Sequence, residues 1–481
     1  MTVPPCRGQT SLRQQKENAG TQGTALAGEG IRCGSRETIR LKVLVINKFL
    51  FPNGGSETYI FRLGEELLRQ GYEVQYFGME HEGRVVGNRA ESYTEPMDFH
   101  RGTWQKLVYP FRIIYSEEAR RKLRVVLEDF QPDVVHLNNI NFQLTPSVID
   151  ETREFEEKHR ELYADRDRHL AIFYTAHDSQ WVCPGHLLRI PSTGALCMEC
   201  SWGDFRHCTT NRCIHNSRLR SFLGTREAEF YKKRGTYAQV DRILCPSRFM
   251  ERVLSHDPVL RERTVTMRNF LDMPGKTGST GGTPDAAGAV GTACATGSNI
   301  LPEPGYVFYF GRYSEEKGIG TMMKAVRALP DIPFVFAGSG PLEAEVTGAN
   351  VTRLGFLTGE PLAEAIRGAR FVVFPSECYE NCPFSVMEAQ GLGRPVLASD
   401  LGGIPELICT DALHGRDTGR LFRGMDEEDL TDKIRELWED PAAVEAMASH
   451  CREWTQGSFD TLARYTERLV TQYRAICRRD R

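Results

Sequence analysis

The sequence predicts an α/β protein built from two Rossmann-like domains facing each other across a cleft. Three observations carry that expectation: the chain's length, an alternation of apolar strands with amphipathic helices that starts twice, and a Gly-, Thr-, Ala- and Pro-rich stretch between the two starts. At 481 residues the chain exceeds what one ordinary core encloses. A stretch with almost no large apolar side chains cannot build a core, so it reads as a linker.

The first alternation opens at Leu41–Asn47, a mostly apolar run suited to a parallel strand buried on both faces. A Gly-rich loop, Phe51-Pro52-Asn53-Gly54-Gly55-Ser56-Glu57, precedes an amphipathic helix through Leu68 that Gly71 stops. A strand then runs over Val74–Phe77. This is a βαβ unit. Further strands are expected at Val134–Leu137, Ala171–Tyr174 and Arg242–Cys245, the last leading through Pro246-Ser247 into a helix. The second alternation opens at Tyr306–Phe310 and closes in helices between Asp426 and Arg478. The organisation implied is a polar extension over residues 1–40, a first domain over 41–272 with a cysteine-rich insertion at 183–213, a linker over 273–304, a second domain over 305–460 and a last helical segment over 461–481.

Composition narrows the class. With 40% hydrophobic and 26% charged residues, the chain is globular. A net charge of −4 gives no global basis for binding nucleic acid or an anionic membrane. No apolar run approaches the roughly 20 residues that span a bilayer, and the first 40 residues lack the apolar core of a secretory signal. Fourteen cysteines in such a chain argue for reduced thiols or a metal site over a disulfide framework, and hence for the cytoplasm. Cys197, Cys200, Cys208 and Cys213 have the spacing C-x2-C-x7-C-x4-C, with Cys183 upstream and His207 and His215 interleaved. Four thiolates so spaced can close a tetrahedral structural zinc site. Buried reduced thiols and an iron–sulfur cluster are the alternatives.

The densest chemistry lies in Glu380-Asn381-Cys382-Pro383-Phe384-Ser385-Val386-Met387-Glu388. A buried-strand pattern at Phe371–Phe374 precedes it and a strand at Pro395–Ala398 follows. Glu380 is thus expected in a loop at a strand's carboxyl end, where open α/β sheets bind ligands, with Glu388 on the next helix. Two carboxylates there can accept hydrogen bonds from paired sugar or ribose hydroxyls. Upstream, Arg312 and Lys317 follow a strand and can stabilise a leaving diphosphate. Gly54-Gly55 at a helix N-terminus permits close approach of an anion. His177 ends the strand Ala171–Tyr174, with Asp178 next to it as a candidate for orienting its ring.

These elements resemble the retaining glycosyltransferases of family 4, which have the GT-B fold. Glu380–Glu388 is similar to the family's E-x7-E element, Gly402-Gly403-Ile404-Pro405-Glu406 to its G-G-x-P-E loop, and Gly311–Gly318 to its G-R-x4-K-G element, with Phe336–Gly340 between them in order. The resemblance covers roughly Leu41 to Arg478 apart from the linker. An H-D, C-P, paired-cysteine subgroup of the family resembles the cysteine-rich region. By that resemblance, Arg312 and Lys317 hold the diphosphate and Glu388 the ribose. Glu380 faces the donor sugar with the amides of Asn381, Cys382, Pro383, Phe384 and Ser385 (Pro383 having no N–H to offer), and Gly402 and Gly403 pack near the phosphates or the donor. His177 stands beside the anomeric centre, and the Gly54-Gly55 loop serves the acceptor and diphosphate side. Where many relatives have a second histidine, this chain has Asn138, which can hydrogen-bond an acceptor. The resemblance further implies a UDP- or GDP-type nucleotide sugar, no catalytic metal, and a saccharide or lipid-linked acceptor, with no role for nucleic acid. The last helix crosses back to the first domain. The basic stretches Arg101–Arg124 and Arg218–Arg234 are either ordinary solvated helix faces or, since family members often work on lipid-linked acceptors, a contact with the inner face of a membrane. The expected function is synthesis of a cell-surface polysaccharide or glycolipid. A different GT-B activity, epimerase or phosphorylase, and a non-catalytic metal-stapled binding protein are the rivals.

Overall fold

The computed structural model describes residues 40–96, 114–164, 169–271, 303–411 and 414–478. The extension, nearly all of the linker and the basic stretch from Arg101 as far as residue 113 lie outside the described residues.

Two six-stranded, fully parallel sheets form the molecule. The first contains β1 (Lys42–Ile46), β2 (Glu73–Phe77), β3 (Val134–Leu137), β4 (Ala171–Thr175), β5 (Arg242–Cys245) and β6 (Thr264–Thr266), in the order β2-β1-β3-β4-β5-β6. The second contains β7 (Tyr306–Phe310), β8 (Phe334–Ala337), β9 (Val351–Gly355), β10 (Ala369–Phe374), β11 (Val396–Ser399) and β12 (Gly419–Phe422), in the order β12-β11-β10-β7-β8-β9. Strands such as β3, β4 and β7 are buried along their whole length because helices cover both faces.

The principal helices of the first domain are α1 (Gly55–Arg69), α2 (Glu117–Phe130), α3 (Ser147–Lys158), α4 (Arg218–Arg234) and α5 (Arg248–Leu254). Those that follow are α6 (Ile319–Ala328), α7 (Gly359–Gly368), α8 (Phe384–Gly391), α9 (Glu427–Glu439), α10 (Pro441–Ser458) and α11 (Leu462–Cys477). Local chemistry sets their ends. Ser116, Ser217 and Ser247 accept from backbone amides as N-caps of α2, α4 and α5. Gly71 lies past the end of α1 at φ +87°, where a side chain is disfavoured.

The last helix is sewn into the first domain. Tyr465, Leu469, Tyr473 and Ile476 of α11 share one apolar core with Tyr59, Leu63 and Leu67 of α1 and with Val43 and Val45 of β1. Where the chain leaves the first domain it meets the returning segment, with the Leu271 amide donating to the Asp460 carbonyl (2.9 Å) and Leu271 bridging to Thr461.

Candidate active site

Loops at the carboxyl ends of the strands meet between the two sheets, and the side chains on the two sides differ in kind. On the second domain, a short turn after β7 brings Lys317 to the loop after β10. Its Nζ donates to Glu380 Oε1 at 2.5 Å, and the Ser376 hydroxyl donates to the same oxygen at 3.0 Å. Burial alone would lower the pKa of the Lys317 ammonium, but Glu380 more than offsets this, and the net shift is upward. Arg312 is exposed on the same turn. Glu388 is half-buried on α8, the helix that Pro383 opens.

Glycine makes the loop crossing possible. Gly402 has φ +65°, and a Cβ there would lie 2.3 Å from the Glu380 carbonyl oxygen. The Gly403 amide donates to that carbonyl at 2.7 Å. Gly402 and Gly403 therefore back the Glu380–Asn381 segment, and Gly403 lies against Ser247 of the first domain.

On the first domain the site centres on a neutral imidazole. His177 follows β4, and its Nε2 lies 2.9 Å from Asn138 Oδ1, while Asn138 Nδ2 donates to the His136 carbonyl at 3.2 Å. That orientation of the amide gives the imidazole its proton at Nε2 and leaves Nδ1 as the acceptor nitrogen. Burial holds the His177 pKa at about 4, against a smaller upward pull from Asp178. Asn138 is fully buried, and its side-chain amide is engaged with His177 and the His136 carbonyl. Asp178 does not orient the ring; its Oδ1 accepts from the Gln180 amide at 3.0 Å. Gly54 is the N-cap of α1 in an extended conformation, and Gly55 faces the Phe384 ring across the cleft.

Direct contacts join the halves. Asn381 Nδ2 donates to the Ala176 carbonyl (2.6 Å), one residue before His177, and Ser247 Oγ donates to Asn381 Oδ1 (2.6 Å). The Asn269 amide donates to the Cys382 carbonyl at 3.1 Å, and Phe384 packs against Phe270. The half-buried Ser385 lies in the first turn of α8. Glu406 accepts from the Arg248 and Phe249 amides at 2.9 and 2.7 Å, so a carboxylate of one domain caps α5 of the other. Sequence reasoning missed this partner, as it missed Ser247, because a cap supplied from 157 residues away leaves no local signal. It also missed Tyr59, which is buried in α1 with its ring edge-on to His177 at 5.0 Å.

The cysteine-rich module lies beside the cleft. Arg189, buried within it, reaches Glu377 (3.4 Å) and Glu315 (3.5 Å) of the second domain. Cys183, Cys197, Cys200 and Cys213 line one cavity of about 10 Å³ with His207. Cys208 is hydrogen-bonded to Cys213, which raises its pKa, and burial pushes Cys183 up to about 12. Among the described residues no group of three or more His, Cys, Asp or Glu side chains is poised to hold a metal ion. The four expected ligands are gathered here as packed thiols, not arranged as a ligand set.

Comparison with known proteins agrees with this architecture. Residues 304–440 match the family described as "Glycosyl transferases group 1", and residues 53–146 match "Glycosyltransferase Family 4". The sulfoquinovosyl transferase of Arabidopsis thaliana is 35% identical over 182 residues, covering 37% of this chain and 35% of that one. A D-inositol 3-phosphate glycosyltransferase of Pseudarthrobacter chlorophenolicus is 30% identical over 34% of this chain and 43% of its own. The chain thus spans well under half the length of these curated relatives. Among solved structures, sucrose-phosphate synthase from Thermosynechococcus elongatus aligns over 91% of this chain and 99% of its own, with a TM-score of 0.59 at 18% identity. Anabaena HepE in complex with UDP and glucose aligns over 91% and 100%, with a TM-score of 0.57 at 15% identity. Two separate regions of the chain thus match glycosyltransferase family models, and the whole has the two-domain GT-B fold.

Proposed function

We propose that the protein is a retaining glycosyltransferase moving a sugar from a UDP- or GDP-type nucleotide sugar to a saccharide or lipid-linked acceptor, in cell-surface polysaccharide or glycolipid synthesis. The observation that carries this reading is the Lys317–Glu380 pair at the carboxyl edge of the second sheet, bolted through Asn381 to the residue preceding His177. Lys317 and Arg312 would neutralise the departing diphosphate, Glu380 would accept hydrogen bonds from the donor sugar, and Glu388 from the ribose. The bond from the anomeric carbon to the phosphate oxygen breaks as the bond to the acceptor oxygen forms on the same face. The acceptor's proton passes to the departing phosphate oxygen. This route needs no nucleophilic side chain, and the two cations take the electrostatic part that a divalent metal would otherwise play. The structural neighbours support a nucleotide donor: HepE is seen in complex with UDP and glucose, and the catalytic domain of starch synthase IV of Arabidopsis thaliana bound to ADP and acarbose.

Incubating the purified protein with UDP- and GDP-sugars and candidate acceptors, and reading the product's anomeric configuration by NMR, tests the reading. Retention with transfer is expected. Inversion would remove the retaining mechanism, and free sugar or an epimer without transfer would favour the rival enzymes. Nucleotide-dependent stabilisation without turnover would favour a binding protein.

Helix α4 supports a peripheral membrane contact on the cytoplasmic side. It buries Ser221, Gly224, Thr225 and Ala228 while exposing Leu219 (69%), Phe222 (47%) and Phe230 (38%) among Arg218, Arg220, Arg226 and Lys233. Apolar side chains turned outward among cations suit an anionic bilayer surface. Among the described residues no helix is long and apolar enough to cross a membrane. Sedimentation with anionic but not neutral vesicles is the expected result. For the cysteine module, a structural zinc would have to draw Cys197, Cys200, Cys208 and Cys213 inward. Elemental analysis finding one zinc per chain would show that they do.

A further inference from the structure

A chain of buried hydrogen bonds starts and ends on α11. Tyr473 Oη lies 2.6 Å from His136 Nδ1, and His136 Nε2 lies 2.7 Å from Thr175 Oγ1. Thr175 Oγ1 is 3.3 Å from Tyr59 Oη, which in turn is 2.7 Å from Tyr465 Oη. All five side chains are essentially inaccessible to solvent. Burial holds the His136 pKa down at about 3, so its two nitrogens serve as one donor and one acceptor, and the chain is satisfied in either direction. Of the side chains in this array, the ring of Tyr59 is the one that stands against the His177 imidazole, edge-on, 5.0 Å away at 71°. His177 is thus gripped on two sides: at Nε2 by Asn138, and across its ring by Tyr59.

We propose that Tyr465 is a positioning residue for His177, acting through Tyr59, so that the docking of the last helix sets the imidazole in the site. Tyr59 has two hydroxyl partners, and Tyr465 is the closer. Removing the Tyr465 hydroxyl leaves the Tyr59 phenol with one long hydrogen bond and frees its ring to shift against His177. Tyr473 offers an internal control. It anchors the same helix to the same array through an equally buried hydroxyl, but its partner is the His136 ring, which acts on His177 only by charge at a distance and through the His136 carbonyl that Asn138 donates to. The inference rests on the transfer reading only where a rate is measured; the positioning itself does not require it.

The test compares Tyr465→Phe with Tyr473→Phe in the full-length protein, by two readouts. The first is the NMR titration of the His177 ring, identified by its loss in His177→Ala. In Tyr465→Phe the midpoint is expected to rise toward the ordinary value by on the order of one unit as water reaches the ring, while Tyr473→Phe leaves it in place. Unchanged titration in Tyr465→Phe, or equal shifts in both variants, overturns the inference whether or not the protein transfers sugar. The second is transfer kinetics. Tyr465→Phe is expected to lower kcat about 10-fold with the donor KM unchanged, a loss of the size that small misplacements produce, and to have no further effect in a His177→Ala background. An equal loss in that background overturns the route through His177. Absence of transfer in the unaltered protein would count against the proposed function alone, since the titration would still decide the positioning.

Discussion

The two walls of the cleft solve opposite electrostatic problems. The second domain holds charge in reserve: Glu380 pairs with the Lys317 ammonium at 2.5 Å, and Arg312 stands exposed beside them. The first domain has removed charge: the buried His136 and the half-buried His177 are both neutral, with pKa values of about 3 and 4. The difference teaches a division of labour. In the proposed reaction, a donor that carries two phosphates would meet fixed cations, while the reacting sugar would meet a neutral wall.

Breaking the charged wall should have the largest effect. Lys317→Ala and Glu380→Gln are each expected to lower kcat by about 10²- to 10³-fold, the loss seen when one preorganised electrostatic group is removed, with the melting transition retained. Near-normal rates in both variants would dismantle the site as drawn. On the neutral wall, His177→Ala should cost about 10- to 10²-fold, within the range for positioned proton-handling groups, and less than the loss of Lys317.

The comparison sharpens with pH. Because His136 and His177 stay neutral when folded, the unfolded chain takes up their protons first, and stability should fall as pH drops from about 6.5 toward 4. His169, at the opposite edge of the first sheet, should do the reverse. Burial alone would lower its pKa, but its hydrogen bonds to Asp241 and Glu156 raise it to about 9. Its contribution, on the order of 2 kcal/mol, should be present below pH 6.5 and disappear as pH rises to 9. Denaturant midpoints of His169→Gln against the unaltered chain would show a flatter alkaline limb. The smallest effect should come from Glu406→Gln, which weakens a cap worth about 1 kcal/mol. Because that cap crosses the cleft, the change should appear as a higher donor KM and a larger solution radius rather than in global unfolding.

Much of the fold was legible because parallel strands buried on both faces leave continuous apolar runs. Val134–Leu137, Arg242–Cys245 and Tyr306–Phe310 coincide with β3, β5 and β7 residue for residue. Strand β6 (Thr264–Thr266) was not legible, since three half-buried residues at a sheet edge have no apolar run. In the site, loop positions following strands could be read locally, as with Glu380 and Lys317. What those side chains touch could not. The partner of His177 is Asn138, on another strand's loop, and a reader of adjacent residues turns to Asp178 instead. Gly402 and Gly403 were visible as a motif, but a glycine pair looks the same whether a ligand or a backbone comes close.

The meeting of Leu271 with Asp460 and Thr461 governs how the cleft can move. A protein whose halves were joined by one strand could swivel and twist freely at that strand. Here the outgoing and returning segments are tied side by side, like the two leaves of a door hung on one pin. Should the cleft open, that tie favours turning about one axis over free swivelling, and closing remakes the Asn381 contact with the Ala176 carbonyl.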